Sequence, residues 1–158
     1  AVTLAVVKGF DRASFRDYHP AGSLGQQLMQ RVGEVMLTGE RLPWVAADAS
    51  LATVLEEMTA KRLGLTIVGS SPAVAGLITD GDLRRALLRH REAVTATRAC
   101  EIMTLEPAII PSSLQAFEAL ELMETRQITA LLVGADHAHL EGVVHLHDLL
   151  GRGRLGFK

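Results

Sequence analysis

The stretch Gly76-Leu77-Ile78-Thr79-Asp80-Gly81-Asp82-Leu83-Arg84-Arg85 sets a hydroxyl, two carboxylates and two guanidinium groups directly behind an apolar run. Leu77 and Ile78 suit a buried strand, Asp80-Gly81 is a turn signal, and Leu83, Ala86 and Leu87 begin an apolar helical face. Side chains at such a junction stand at a helix N-terminus, where free N–H groups and the helix dipole favour an anion. Thr79 offers a hydroxyl. Asp82 can accept the two hydrogen bonds that a ribose diol donates, and Arg84 and Arg85 are suited to phosphate. Thr and Asp are also ordinary helix caps, and spacing alone leaves both readings open.

The stretch has an echo in Gly142-Val143-Val144-His145-Leu146-His147-Asp148-Leu149-Leu150. At one constant offset Gly76 meets Gly142, Thr79 meets His145, Asp82 meets Asp148 and Leu83 meets Leu149. At an offset one residue shorter, Met58 meets Met123 and Val68-Gly69 meets Val133-Gly134, so a single insertion in the later hairpin reconciles the two. An internal repeat decides the architecture before any single motif does.

The elements that must position these residues follow in order. Residues 1–8 read as a helix end stopped by Gly9. Asp11 caps a short helix bearing Phe15 and Tyr18, and His19-Pro20-Ala21-Gly22-Ser23-Leu24-Gly25 is a loop. A helix is expected near 23–30 and a turn near Val32–Met36. The first unit then runs through a short strand at Pro43–Val45, a helix capped by Ser50 and carrying Leu51, Val54, Leu55 and Met58, strands at Leu65–Val68 and Val74–Thr79, and a helix over 82–90. Residues 91–98 read as a polar linker. The second unit repeats the order: Pro107–Ile110, a helix with Ser112 and Gln115 as its capping pair and Phe117, Leu120 and Met123 following, strands at Ala130–Val133 and Leu140–Val144, and a helix from Asp148. Each unit of about 60 residues is marginal alone. Two units packed sheet to sheet about a pseudo-twofold axis cover both apolar faces and turn the two junctions toward a common cleft.

Composition narrows the function. The chain has 158 residues, 48% hydrophobic but only 4% aromatic, so its core is aliphatic. A formal net charge of −2 gives no general affinity for nucleic acid or acidic membranes. No apolar run reaches the roughly 18 residues of a membrane span. Cys100 is alone, which excludes an intrachain disulfide and fits a reducing cytoplasm. The chain opens inside an apolar helix without an initiator Met, as a fragment of a longer protein does. His137 with His139, and His145 with His147, stand two apart, which on a strand would put each pair on one face. Without a cysteine pair or more acids beside them they are read as surface or turn histidines, and no metal is assigned.

Two units with Gly-apolar-apolar-(Thr or His)-x-x-Asp-Leu, Thr79 in the first and His145 in the second, each preceded by an apolar-Met element (Val35-Met36 and Ile102-Met103), resemble a tandem pair of cystathionine-β-synthase (CBS) domains over residues 31–150. Taken with Thr79 to Arg85, His145 to Leu150 and His19-Pro20-x-Gly22-x-Leu24-Gly25, the chain resembles the bacterial D-arabinose 5-phosphate isomerases, in which a sugar isomerase (SIS) domain precedes the CBS pair. That family interconverts D-ribulose 5-phosphate and D-arabinose 5-phosphate on the way to Kdo for lipopolysaccharide or capsule. The resemblance implies a mixed α/β (α+β) fold of two β-α-β-β-α units. It implies a SIS tail at 1–30, CBS domains at 31–92 and 93–151, and a flexible tail at 152–158.

It further implies that His19, by local reading a helix stop before proline, is the histidine of the family's catalytic His-Pro-Gly-Gly motif, with Ala21 where the family has Gly. A group titrating near neutrality suits enediol proton transfer. The catalytic lysine and glutamates belong upstream, so the fragment alone is expected to be inactive. Thr79, Asp82, Arg84, His145 and Asp148 would bind an effector without any required cofactor. AMP, ADP or ATP is the family-wide default, and CMP-Kdo is suggested by His145 in place of Thr. The alternative is a purely structural module that holds the isomerase together, as a homodimer of CBS pairs within a tetramer, through the helical faces carrying Leu83, Leu87, Met123, Val54 and Leu55.

Overall fold

A computed structural model of the chain describes residues 28–90 and 96–150. The expected helix end at 1–8, the helix from Asp11, the loop with His19, most of the helix near 23–30 and the tail from 151 lie outside the described residues.

The two units are built alike. The first comprises α1 (Val32–Val35), a single 3-10 turn at Gly39–Arg41, β1 (Trp44–Val45), α2 (Leu51–Lys61), β2 (Leu65–Ser70), β3 (Ala73–Thr79) and α3 (Asp80–His90). The second comprises α4 (Ala99–Ile102), β4 (Ile109–Ile110), α5 (Ala116–Arg126), β5 (Ala130–Gly134), β6 (Leu140–His145) and α6 (Leu146–Leu150). Each holds a three-stranded sheet whose middle strand runs parallel to the first strand and antiparallel to the third. The registers correspond, Trp44 facing Ile67 as Ile109 faces Leu132. The hairpin ladders slip at the same place, between Val68 and Gly69 and between Val133 and Gly134. The fold is thus the mixed α/β pseudo-twofold pair expected, with one short helix added before each unit.

The helices form where the apolar spacing requires. On α2, Leu51, Val54 and Met58 form one buried stripe. The Ser50 hydroxyl accepts from the Thr53 N–H at 3.2 Å and so caps the helix, which ends at Arg62 in the left-handed region (φ 57°). On α5 the buried stripe is Ala116, Ala119 and Met123, and the end is Gln127 at φ 55°. Two expectations need correction here. Ser112 and Gln115 are not the capping pair: Gln115 is itself the N-cap, its N–H donating to Glu118 Oε2 at 3.0 Å, while the Ser112 carbonyl accepts from Gly33. The first hairpin is tighter than expected, since β2 and β3 extend through Ser70 and from Ala73.

The short arms before the units cross over. Val32 N–H donates to the Leu114 carbonyl at 2.8 Å, and Leu37 exchanges two main-chain bonds with Val143 at 2.8 and 3.0 Å. Reciprocally, Ala99 N–H donates to the Ala49 carbonyl at 2.9 Å, and Thr104 exchanges two with Leu77 at 2.8 and 3.0 Å. Val32 therefore belongs to the core of the second unit, with Ala116, Met123 and Leu149. Ala99 belongs to that of the first, with Val54, Met58 and Leu83. A third cluster, including Leu65, Ile67, Leu77, Leu132 and Val143, joins the two sheets.

Crossing at this distance needs the glycines. A Cβ on Gly76 would lie 2.7 Å from Met103 Sδ, and one on Gly142 would lie 2.5 Å from the Leu37 carbonyl oxygen. The two glycines that align in the repeat are the points over which the arms pass.

Candidate effector site

The first junction is built by β3, α3 and the arm of the second unit. β3 ends at Thr79, and α3 starts at once, so Asp82 falls in its first turn. Asp82 is only 6% exposed. Its Oδ2 accepts from the Thr79 N–H at 2.8 Å and from the Thr79 hydroxyl at 2.7 Å. Its Oδ1 accepts from Arg85 Nη2 at 2.6 Å and from the Thr104 hydroxyl at 3.1 Å. Burial pushes this carboxyl up, but the Thr79 hydroxyl and N–H, then Arg85 and Thr104, together hold it below the ordinary aspartate value. Thr79 and Asp82 do cap the helix, as the plain local reading has it. They also place a charged carboxylate beside a cavity.

That cavity, about 220 Å³, is lined by Asp82, Arg85, Ala86 and Arg89 of α3 and by Glu101 to Thr104 of the arm. The α3 wall thus carries two guanidinium groups and the Asp82 carboxylate, with Glu101 on the arm side, around a space suited to an anion bearing hydroxyls. Arg84 is exposed and does not line it. Arg85 and Arg89, together with Asp82 and Ala86, follow the three- and four-residue spacing of one helix face, a signal that would have selected Arg89 from the sequence. Glu101, Met103 and Thr104 had no such signal, because they reach the site only through the crossing of the arm.

The second junction has different chemistry. Asp148 is buried, 8% exposed, and its Oδ2 accepts from the His145 N–H at 3.1 Å. The His145 and His147 rings stack with centroids 5.0 Å apart, and His145 Nδ1 accepts from the His147 N–H at 3.3 Å. Neither His145 nor Asp148 lines the cavity at the first junction, so that cavity is not the common cleft expected. Leu37 occupies here the ladder position that Thr104 holds at the first junction.

His137 and His139 lie in the β5–β6 turn, where a spacing of two does not give one strand face. His137 Nε2 lies 2.8 Å from the Pro107 carbonyl oxygen and His139 Nδ1 lies 2.8 Å from Asp136 Oδ1. Among the described residues no three His, Cys, Asp or Glu are placed to hold a metal ion, and no helix is long and apolar enough to cross a membrane.

A family model described as the CBS domain matches residues 32–89 and 99–154. Arabinose 5-phosphate isomerase KdsD of Yersinia pestis is 44% identical over 154 residues, which are 97% of this chain and 46% of that protein. The chain therefore spans about half the length of the curated relatives it matches. Among solved structures, CBSX2 in complex with AMP superposes with a TM-score of 0.63 at 20% identity, covering 75% of this chain and 92% of that one. The CBS domain of the bacterial CNNM/CorC family Mg2+ transporter, in complex with ATP, gives 0.64 at 18% identity, covering 78% and 87%. At such identities the likeness is one of fold.

Proposed function

The chain belongs to the CBS-domain family, and from that premise we propose that it is the regulatory nucleotide-binding module of a D-arabinose 5-phosphate isomerase, an enzyme interconverting D-ribulose 5-phosphate and D-arabinose 5-phosphate for Kdo and lipopolysaccharide or capsule synthesis. The observation that carries the reading is the buried, charged Asp82 beside a cavity lined by Arg85 and Arg89. The carboxylate suits a ribose diol and the guanidinium groups suit phosphate. The AMP and ATP bound by the structural neighbours support the ligand class, and the identity to the isomerase over nearly the whole chain supports the parent enzyme.

On this reading residues 1–30 are the tail of the SIS domain, with His19 its catalytic histidine. Residues 31–92 and 93–151 are the two CBS domains, and 152–158 a tail. AMP, ADP, ATP or CMP-Kdo is the effector, and the cytoplasm is its setting. The isomerase domain is the partner the module regulates.

A thermal-shift titration of this chain with AMP, ADP, ATP, CMP, CMP-Kdo and arabinose 5-phosphate tests the reading. A ligand at a hundred times its Kd adds about 2.7 kcal/mol, a rise of roughly 5–10 °C for a chain this size. We expect that rise with a nucleotide and its loss in Asp82→Ala. No shift with any of them overturns the reading.

A second reading, a structural module within a homodimer or tetramer, rests on Leu87 and Leu88, which are 53% and 78% exposed on α3. Leu83, Val54 and Met123, expected on that surface, are buried in the cores instead. Sedimentation of the chain and of a Leu87→Ser/Leu88→Ser double variant separates the two readings: a dimer that the variant abolishes, without any nucleotide shift, favours the structural one.

A further inference from the structure

Asp82 ties the units together through side chains. One oxygen is held from within the first unit by Thr79, and the other is shared between Arg85 of the same unit and Thr104 on the arm of the second. A carboxylate filled in this way has no acceptor position left for a ligand's hydroxyl pair. The cavity beside it, about 220 Å³, is also below the roughly 300 Å³ at which small-molecule sites begin. A ligand must therefore exchange with what is there. Arg85 is the member free to leave, since its side chain is 59% exposed while Asp82 is 6% exposed. Arg89, on the same wall, already faces the cavity.

We propose that Asp82, Arg85 and Thr104 form a latch holding the second unit's arm on the first unit, and that a ligand carrying both a phosphate and a vicinal diol opens it. The inference rests on the nucleotide reading and adds how that site would signal. The phosphate draws Arg85 from Asp82 toward Arg89, and the diol then takes the positions of Arg85 and Thr104 on the carboxylate. At Thr104 the arm is then left on its two main-chain bonds to Leu77, while Ala99 keeps its bond to the Ala49 carbonyl and its place in the first unit's core. At the second junction Leu37 stands where Thr104 does, so the arm there brings no hydroxyl, and in sequence Leu150 and Gly151 follow Asp148 where Arg84 and Arg85 follow Asp82. The device therefore acts at one of the two arms.

Amide hydrogen exchange at Leu77 and Thr104 reads the latch, with Leu37 and Val143 on the other arm as internal control. In the ligand-free chain, Thr104→Val speeds exchange at the first pair by about two- to tenfold, the range of one lost hydrogen bond. Saturating AMP does the same to the parent chain and adds nothing in Thr104→Val. Inorganic pyrophosphate, which has no diol, leaves the rate unchanged. Equal ligand-free exchange in parent and variant overturns the latch, whatever binds. Exchange slowed or unchanged by AMP in the parent, or sped as much in the variant as in the parent, overturns its opening. If AMP does not bind the parent, the same exchange is measured with whichever of ADP, ATP or CMP-Kdo raises its Tm; failure of all four to bind removes the nucleotide reading and the opening step with it, while the ligand-free comparison still decides the latch.

Discussion

Gly142→Ala puts a methyl group where the first arm crosses β6. The added carbon would lie 2.5 Å from the Leu37 carbonyl oxygen and 2.8 Å from Met36 Sδ, both well inside van der Waals contact. The nearer atom is main chain, so no rotamer change relieves it. The arm must lift, straining the two Leu37–Val143 bonds and the seating of Val32, which is fully buried. Overpacking of this kind costs about 1–3 kcal/mol, and each weakened main-chain bond adds about 1 kcal/mol. The lower chain entropy of unfolded alanine returns roughly 0.4–1 kcal/mol. The balance is a loss of about 2–5 kcal/mol, or a fall in Tm of roughly 4–18 °C for a chain of this length. Thermal unfolding followed by circular dichroism, with urea titration for the free energy, measures it. Gly76→Ala is the internal comparison: there the nearest atoms, Sδ and Cγ at 2.7 and 2.8 Å, belong to the flexible Met103 side chain and the main-chain Thr104 carbonyl oxygen lies farther off at 2.9 Å, whereas at Gly142 the main-chain oxygen is the nearest atom. Met103→Ala should restore part of the loss at Gly76, and Met36→Ala should restore little at Gly142. A Gly142→Ala chain melting within about a degree of the parent would refute the view that the crossing sets this residue.

Two further outcomes follow from named contacts. Asp82 has a folded-state pKa below its unfolded value of about 3.9, so its stabilising contribution is present above that value and is lost as the pH falls through the lower folded one. Below about pH 4 the parent should therefore lose stability more steeply than Asp82→Asn, and parallel acid curves would contradict the assignment. Ser50→Ala removes the hydroxyl that accepts from Thr53 and should cost about 1 kcal/mol, or roughly 2–4 °C in Tm, in the same melting assay.

The pairing of Gly76 with Gly142 and Asp82 with Asp148 was open to reading because a repeat preserves spacing and spacing survives in one dimension. The α2 helix was equally open, since Ser50 and the Leu51, Val54, Met58 stripe are local signals. What stayed hidden was non-local. Thr104 reads as part of the second unit's apolar-Met element, yet its hydroxyl donates to a carboxylate of the first. Val32 and Ala99 look like the opening residues of their own units and are core residues of the other. Arg84 stands near Asp82 in sequence but off its helix face, whereas helix geometry brings Arg85 and Arg89, three and seven positions on, to the cavity. Ser112 resembled a cap because its side chain type is right, but the helix begins after Gln115, whose own N–H is satisfied by Glu118.

The crossed arms make this pair an exchange of parts between two copies of one element, carried out within a single polypeptide. A half-chain cut between the units keeps an arm with nothing to cross and a core with a vacant slot where Val32 or Ala99 should sit. Two copies of such a half repair each other only by swapping arms, the route by which repeated elements become dimers. Joining the halves covalently turns that bimolecular swap into an intramolecular one, at an effective concentration in the millimolar range for a short connection. It also spreads the contacts of the second unit's core from Leu28 to Leu149, which slows folding and makes the two halves gain or lose their structure together.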